Sequence, residues 1–251
     1  MRIAVSGASG TVGRHVVNAA ERRDHEVVRL SRADGVDLTH ADTLAGALQG
    51  ADVVIDACNA STIEEGPARE FFTTVAGNLQ REGAQQGVER IVTLSIVGID
   101  DADFGYCRAK VGHERAAASG TVPHTIVRAS QLHELPGQLI GLTRHDHQAS
   151  VFDAESQTVA ASSVAEALVD VAERSPGERG SDLAGPEPAA NLVDLGRAFI
   201  ARRGVDLQVQ PDTETMSGIP AGGLLPGSDV TVIGPTFADW LDSPDAAALP
   251  I

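Results

Sequence analysis

The chain has 251 residues, enough for one α/β domain with a small additional lobe, and its formal net charge is −16 at pH 7. Such a negative surface is repelled by nucleic-acid backbones and by anionic membranes, and no apolar run approaches the length of a membrane span. With 42% hydrophobic and 22% charged residues, we expect a soluble globular protein with neither a nucleic-acid nor a membrane partner.

Short β-branched runs alternate with longer helical patterns through the first half of the chain. We predict strands near 2–6, 26–30, 52–56, 90–95 and 124–128. We predict helices near 12–23, 41–48, 67–86 and 107–119. This alternation is typical of right-handed βαβ crossovers, and therefore of an α/β fold with a doubly wound parallel sheet covered by helices on both faces.

The pattern loosens after about residue 130. The segment "ASSVAEALVDVAERS" predicts an amphipathic helix capped by Ser162 or Ser163. Beyond it we predict a strand at 182–184, a helix near 191–203, a strand near 206–210, a long Gly- and Pro-rich loop over 211–235, and a short last helix that carries Trp240. We therefore expect a sheet domain over 1–150 and a small C-terminal α+β substrate lobe over 151–251, packed as one structural unit.

Three glycines separate the first strand from the first helix in "MRIAVSGASGTVGRHVV". Gly7 allows a tight turn, Gly10 lets a pyrophosphate approach the backbone, and Gly13 allows the helix to pack closely on the strand. The amides and the dipole at the start of a helix favour a phosphate group. The turn follows an apolar strand and precedes a helix. We therefore predict a Rossmann-type dinucleotide-binding site rather than a purely structural turn.

The end of the second strand indicates which dinucleotide is bound. An acidic residue there would bind the ribose 2′-hydroxyl of NAD, whereas an arginine would accommodate the 2′-phosphate of NADP. In "EVVRLSRADGVDL", Ser31 and Arg32 occupy this position and no carboxylate closes the strand. We predict NADP(H) in preference to NAD(H). Two observations oppose this: Asp34 is near enough in sequence to repel a phosphate, and Arg32 has the alternative role of a solvated loop charge.

Tyr106 and Lys110 are the only tyrosine and the only lysine of the chain, and they share one face of a predicted helix. A lysine ammonium lowers the pKa of a nearby phenol, which then exchanges a proton with a carbonyl or an alcohol. Ser95 ends the preceding strand, where its hydroxyl would bind the substrate oxygen. We predict a catalytic group of Ser95, Tyr106 and Lys110; the alternative is a surface contact of little energetic value.

Together these segments resemble the short-chain dehydrogenases/reductases, specifically the atypical, NmrA-like, NAD(P)-binding branch. The likeness is carried by "VSGASGTVGRHV", "VIDACNAS", "GVERIVTLSIVGID", "YCRAKVGHE" and "VRASQLHE", in the family's order and at its spacing over roughly residues 1–135. The rest of the chain is similar to the family's variable substrate lobe only in outline.

The resemblance implies cofactor contacts after each of the first three strands. The pyrophosphate would be lined by Gly7, Ser9, Gly10, Thr11, Val12 and Gly13. Ser31 and Arg32 would meet the adenosine ribose or its phosphate, and Asp37 and Leu38 would edge the adenine. The ribose after the third strand would be bordered by Ala57, Cys58 and Asn59.

The resemblance also implies that Ser95, Tyr106 and Lys110 match the family's catalytic serine, tyrosine and lysine, and that Lys110 holds the nicotinamide ribose hydroxyls. Two departures concern catalysis rather than cofactor binding. Thr74 stands where many family members carry an asparagine, and the spacing from serine to tyrosine is shorter than in typical enzymes.

Two further groups of residues are weaker candidates. His133 lies just beyond the fifth strand, where it would either contact the substrate or simply start a helix. In "LTRHDHQ", His145 and His147 are two residues apart, but no third ligand is evident. We therefore expect a polar loop there and no metal site.

The sequence predicts an NAD(P)-dependent oxidoreductase that acts on a carbonyl, alcohol or enone of a small organic substrate. The alternatives are a non-catalytic NAD(P)-binding redox sensor of the NmrA-like type and a cofactor-dependent epimerase, for which residues 151–251 form a small lobe. Two lone cysteines, Cys58 and Cys107, do not make a disulfide framework and lack the spacing of a zinc site, and the N-terminus lacks a signal-peptide pattern. We expect a cytoplasmic monomer or homodimer.

Overall fold

The computed structural model describes residues 1–174 and 182–251, which divide into two compact units. The first unit consists of Met1–Ile96, Gly105–Arg128 and the described residues of Val164–Ser181. The second consists of Val97–Phe104, Ala129–Ser163 and Asp182–Ile251.

The first unit alternates strands and helices as the sequence predicts. Its strands are β1 (Arg2–Ser6), β2 (Glu26–Leu30), β3 (Val53–Asp56), β4 (Arg90–Ile96) and β5 (His124–Ala129, of which the last residue belongs to the second unit). Its helices are α1 (Gly13–Arg22), α2 (Ala41–Ala47), α3 (Glu65–Gln86) and α4 (Gly105–Ala118), with a 3₁₀ turn at Arg32–Asp34. All four helices confirm the predicted positions to within two residues.

Parallel pairing joins β1 to β2 and to β3, and β3 to β4. Every residue of β3 is buried, as is expected for a strand covered by helices on both faces. One face of the sheet carries Ala4, Val54 and Ile91, which pack with Leu44 of α2 and Phe72 of α3 in a single apolar core. This packing leaves the carboxyl ends of the strands at one edge, where ligands bind in such folds.

The second unit holds the remaining elements. They are α5 (Leu135–Thr143), β6 (Gln148–Phe152), β7 (Glu155–Ser156), α6 (Ala161–Glu173, whose later turns belong to the first unit), β8 (Asp182–Ala184), β9 (Ala190–Asn191), α7 (Leu192–Arg202), β10 (Gln208–Asp212), β11 (Val230–Val232), α8 (Phe237–Leu241) and α9 (Pro244–Ala248). β6 pairs in parallel with β10, and Ile140, Phe199 and Trp240 centre the apolar core of this unit.

Parallel pairing also joins β8 to β11 and joins Leu183 of β8 to Ala129 at the end of β5. The strands therefore follow the order β11-β8-β5-β4-β3-β1-β2 in a seven-stranded sheet. This arrangement confirms the predicted doubly wound α/β fold. Within the described ranges, no helix is both long and apolar enough to cross a membrane.

The N-cap predicted for the amphipathic helix of the second half was wrong. Helix α6 begins at Ala161, so Ser162 and Ser163 lie inside its first turn and neither is the N-cap. The carboxylate of Glu134 instead accepts a hydrogen bond from the Ala161 amide at 3.2 Å. Because Glu134 is distant in sequence, no local pattern reveals this contact. The last residue of the predicted helical segment, Ser175, lies outside the described residues.

The other differences in this half concern the boundaries of elements. The strand predicted at 206–210 is displaced by two residues, and the predicted loop contains β11. The sequence interpretation missed α5 and β6, because the short run after β5 lacks a clear period of either kind.

Candidate functional site

The glycine turn between β1 and α1 is shaped by its own close packing. Gly7 has φ +70°, and a Cβ atom there would lie 2.8 Å from the Ala57 carbonyl oxygen. A Cβ atom on Gly13 would lie only 2.0 Å from the Gly7 carbonyl oxygen, and one on Gly10 would lie 3.1 Å from the same atom. The turn therefore accepts only glycine at Gly7 and Gly13, and it brings β1, the loop after β3 and the start of α1 together.

The start of α1 is suited to an anion. Val12 precedes the helix without a side-chain cap, and the first turn contains no acidic residue. The positive end of the helix dipole is therefore not neutralised by a nearby side chain of α1. Ser9 and Gly10 are exposed on the turn, Thr11 is half-buried, and Val12 is buried beneath it. This donor set fits the diphosphate of a dinucleotide.

The segment after β2 places one arginine in solvent. Arg32 is exposed, and none of the hydrogen bonds or ion pairs found in residues 1–174 and 182–251 involves its side chain. The buried Ser31 donates a hydrogen bond from its hydroxyl to Asp34. Asp34 thus turns back to the strand end, which leaves the guanidinium of Arg32 as the cation that projects from this turn.

Asp37 and Leu38 form part of the next turn. The carboxylate of Asp37 accepts hydrogen bonds from the amide and the hydroxyl of Thr39, which hold its pKa below the ordinary value. Leu38 is buried, and its carbonyl oxygen accepts a hydrogen bond from Asn78 of α3. Both residues predicted to edge the adenine are therefore held in place by the protein itself.

A buried carboxylate ends β3. Oδ1 of Asp56 accepts hydrogen bonds from the Ser6 hydroxyl at 2.7 Å and from the Cys58 amide at 3.2 Å. Asp56 thereby ties the last residue of β1 to the loop that contains Ala57, Cys58 and Asn59. Cys58 is buried and its thiol pKa is raised by that burial, whereas Asn59 is exposed.

Tyr106 lies in the first turn of α4 and reaches the loop after β3. Its hydroxyl donates a hydrogen bond to Oδ1 of Asn59, and its ring packs edge-on against Phe72 at 5.8 Å between centroids. Burial raises the pKa of the phenol well above its ordinary value. The side chain is therefore a protonated phenol throughout the physiological range.

Lys110 is directed into the protein and is only 4% exposed. Its Nζ donates hydrogen bonds to the Leu94 carbonyl oxygen at 2.9 Å and to Nδ1 of His113 at 3.1 Å. The ammonium also lies 4.6 Å from the centroid of the Phe72 ring. Burial lowers its pKa, although Asp56 and Glu114 act in the opposite direction.

Ser95 is buried in β4, and its hydroxyl has no hydrogen-bond partner among the described residues. Thr93, two residues earlier on the same face of the strand, has an equally unpartnered hydroxyl. The structure thus places Tyr106 against Asn59. It places Lys110 against the backbone of Leu94, next to Ser95. Thr74, the position of the family asparagine, lies within α3.

The remaining candidates belong to the second unit. His133 is buried, bonds the Thr158 hydroxyl at 2.8 Å, and packs against Phe237 and Trp240. His145 and His147 are exposed between α5 and β6. A cavity of about 200 Å³ lies within this unit; its lining includes Asp153, Glu155, Asn191, Met216, Ile219 and Leu224.

Sequence interpretation missed His113 and the full role of Asp56. Nε2 of His113 lies 2.9 Å from Oδ2 of Asp56, so a line of hydrogen bonds connects Lys110, His113, Asp56 and Ser6. Two signals were present: a carboxylate closing an otherwise apolar strand, and a histidine one helical turn after the lysine. Neither signal alone indicates that the two residues meet.

Comparison with known proteins identifies the family. A family described as NAD(P)H-binding matches residues 7–175, well over half of the chain. The photosystem II assembly factor Ycf39 of Synechocystis sp. is 31% identical over 111 residues, which cover 39% of this chain and 34% of that protein. The chain therefore matches only about a third of the length of this relative.

Solved structures share the fold at low sequence identity. MoeE5 in complex with UDP-glucuronic acid and NAD has a TM-score of 0.73 and 17% identity, over 92% of this chain and 90% of that one. UDP-glucose 4-epimerase of Thermus thermophilus in complex with NAD has a TM-score of 0.69 and 16% identity, over 94% and 91%. The dTDP-4-dehydrorhamnose reductase of Bacillus anthracis in complex with NADP has a TM-score of 0.71 and 12% identity, over 96% of this chain and 92% of that one.

Proposed function

We propose, from the premise that the chain belongs to the NAD(P)H-binding family and, within it, to the atypical, NmrA-like branch of the short-chain dehydrogenases/reductases, that it is an NAD(P)-dependent oxidoreductase. It would reduce or oxidise a carbonyl, alcohol or enone of a small organic substrate. The observation that carries the proposal is the uncapped start of α1 at a glycine turn, with Asn59 and the Tyr106 phenol at the neighbouring strand end.

The cofactor would supply the hydride. The residues of the chain would bind the cofactor and transfer a proton. The amides of the glycine turn would hold the diphosphate, with the dipole of α1 favouring its charge. The Tyr106 phenol carries a proton that it would donate to a carbonyl oxygen during reduction. Burial raises its pKa and so makes it a weaker acid than an exposed phenol. Asn59 would orient the Tyr106 hydroxyl by accepting its hydrogen bond. Lys110 would contribute its positive charge from its buried position beside the Leu94 carbonyl oxygen.

NADP(H) is the preferred cofactor in this proposal. The support is the side chain of Arg32, which projects from the turn after β2 while Asp34 bonds Ser31 instead of occupying the same space. A guanidinium at this position is suited to bind a 2′-phosphate.

The substrate class and the cellular setting are also part of the proposal. The structural neighbours include reductases and epimerases of nucleotide sugars, but their identities of 12 to 17% show a shared fold alone. We propose a small organic substrate, bound in part by the Ser95 hydroxyl, which has no hydrogen-bond partner among the described residues. The charge of −16 supports a protein that binds neither nucleic acid nor anionic membrane. We place it in the cytoplasm as a monomer or homodimer.

A non-catalytic NAD(P)-binding sensor is the second candidate. Lys110 is turned into a buried set of hydrogen bonds, and Thr74 replaces the asparagine of many relatives. The partial relative is itself named as an assembly factor, which supports a role other than catalysis. In this function Tyr106 would fix the loop around Asn59 and exchange no proton.

Calorimetric titration with NADPH and with NADH tests cofactor binding first. Binding of neither at millimolar concentration would overturn both candidate functions. Reduction of a panel of small aldehydes, ketones and enones by the wild-type protein and by Tyr106→Phe then separates the two. The enzyme requires a loss of turnover of about 100-fold or more in the variant with nearly unchanged NADPH affinity. Turnover that is unchanged in Tyr106→Phe excludes the proposed proton transfer.

A further inference from the structure

A chain of buried polar groups runs beneath the cofactor-facing turn. Nζ of Lys110 lies 3.1 Å from Nδ1 of His113, and Nε2 of His113 lies 2.9 Å from Oδ2 of Asp56. Oδ1 of the same carboxylate accepts the Ser6 hydroxyl at 2.7 Å. Each of the four residues is at least nine-tenths buried. The groups are therefore paired with one another and shielded from bulk solvent.

The partners of His113 determine where its protons lie. A lysine ammonium has only donors, so Nδ1 of His113 must be an acceptor toward Lys110. A carboxylate has only acceptors, so Nε2 of His113 must carry the proton that is donated to Asp56. Both contacts are satisfied together only by a neutral imidazole in its Nε2–H form.

The charges around Lys110 balance in this arrangement. Asp56 faces it from the end of β3 and carries one negative charge across the imidazole ring. Glu114 of α4 also faces the pair, but its carboxylate is held by Arg128 of β5 at 2.7 Å. Cys58, after β3, is a neutral thiol because burial raises its pKa. The ring of Phe72 covers both Lys110 and His113.

Asp56, Cys58 and His113 also place their ligand-type atoms within 4.8 Å of one another. A divalent cation at this point would break the 2.9 Å contact between His113 and Asp56 and would lie beside the ammonium of Lys110. Repulsion between two cations in a buried site is large. Hydrogen bonding therefore accounts for this cluster better than metal binding does.

We infer that His113, in its neutral Nε2–H form, is a positioning residue that holds the ammonium of Lys110 beside the Leu94 carbonyl and couples it to the carboxylate of Asp56. Asp56 also holds the Ser6 hydroxyl and the Cys58 amide, so the same carboxylate anchors the strand end before the glycine turn. His113 thereby links the position of Lys110 to the geometry of the cofactor turn. Its consequence for turnover rests on the proposed function, whereas the arrangement itself does not require a cofactor.

The single lysine of the chain allows a direct test on the ligand-free protein. Labelling lysine at Cε with ¹³C gives one side-chain NMR signal, and its pH titration reports Lys110 alone. Labelling histidine with ¹⁵N shows which ring nitrogen of His113 carries the proton. We expect a protonated Nε2 and an unprotonated Nδ1, persisting below about pH 6.5, the ordinary pKa of histidine.

Asp56→Asn removes the charge while keeping a group of the same shape. We expect this variant to lower the titration midpoint of the Lys110 signal by about one pH unit, because a nearby opposite charge is lost. Asp42→Asn, an exposed carboxylate of α2, is the matched control and should leave the midpoint unchanged. His113→Gln with the control His124→Gln identifies the ¹⁵N signals.

The measurement on wild-type protein stands even where a variant fails to fold. A proton on Nδ1 of His113 at pH 7, a midpoint for Asp56→Asn equal to that of Asp42→Asn, or one equivalent of bound zinc would each overturn the inference. If a substrate is turned over, Asp56→Asn should displace the pH profile of kcat in the same direction as the Lys110 midpoint; an unmoved profile excludes the positioning role. Absence of turnover contradicts the oxidoreductase alone and leaves the NMR result in force.

Discussion

The Tyr106 hydroxyl donates a hydrogen bond to the side-chain oxygen of Asn59, a residue 47 positions earlier in the chain. The bond joins the first turn of α4 to the loop after β3, so it spans two strand ends of the sheet. The sequence resemblance assigns Asn59 to the ribose and Tyr106 to catalysis as separate residues. The structure makes them partners, and Asn59 thereby becomes the residue that orients the phenol.

Asn59→Ala should reduce kcat about tenfold, because the loss of a hydrogen bond worth about 1.4 kcal/mol leaves the phenol unoriented. The affinity for NADPH should change little if Asn59 acts mainly on Tyr106. Steady-state kinetics and calorimetry on the variant measure the two effects. Asn18→Ala, at an exposed position of α1, is the control. A kcat equal in the two variants would exclude this role of Asn59.

Arg32→Ala should weaken NADPH binding about tenfold, or by about 1.4 kcal/mol, while NADH binding stays unchanged. The reason is that the guanidinium is exposed after β2 and would contact only the extra phosphate of NADP. Titration of both coenzymes against the variant and against Arg197→Ala, an exposed arginine of α7, makes the comparison. An equal loss of affinity for both coenzymes would contradict the assigned selectivity.

Gly13→Ala and Gly77→Ala should change stability in opposite directions. The Cβ atom added at Gly13 would lie 2.0 Å from the Gly7 carbonyl oxygen, so we expect a loss of about 1–3 kcal/mol from a forced backbone shift. A Cβ atom at Gly77, inside α3, would meet nothing within 4 Å. There the better helix propensity of alanine should add about 0.5–1 kcal/mol. Urea unfolding measures both, and a stable Gly13→Ala protein would show that the turn is not tightly packed.

Stability should fall as the pH drops below about 6.5, the ordinary pKa of histidine. Burial lowers the pKa of His113, and Lys110 adds to this effect; burial also lowers the pKa of His133. The unfolded chain therefore takes up protons at these positions that the folded chain does not, at a cost of about 1.4 kcal/mol per pH unit for each.

Urea unfolding of the wild-type protein between pH 7 and pH 5 measures that slope. In His113→Gln it should be smaller by the contribution of one proton, and in His124→Gln, which changes an exposed residue, it should be preserved. The carboxylate of Asp56 acts at lower pH, because His113 and Ser6 lower its pKa despite its burial. Its contribution is present above about pH 4, the ordinary pKa of aspartate, and is lost as the pH falls further. Equal slopes in all three proteins would contradict the burial of a neutral His113.

Local pattern was sufficient to predict the elements that carry the site. The apolar runs of β1 and β3, the glycines between β1 and α1, and the helical spacing of Tyr106 and Lys110 are each readable over a few residues. Such short-range signals reflect steric and periodic requirements that hold wherever the segment packs. They were weaker in the second unit, where the cap of α6 comes from Glu134 rather than from an adjacent serine.

The sequence by itself determined the parallel α/β sheet, the glycine turn at the head of α1 and the placing of the tyrosine and the lysine on one helix. Only the tertiary structure decided that Tyr106 meets Asn59, and that Lys110 turns inward to Leu94 and His113, which bonds Asp56 from 57 positions away. The physical reason is that the protonation and direction of a polar side chain depend on its burial and on partners from distant strands, which no local pattern records.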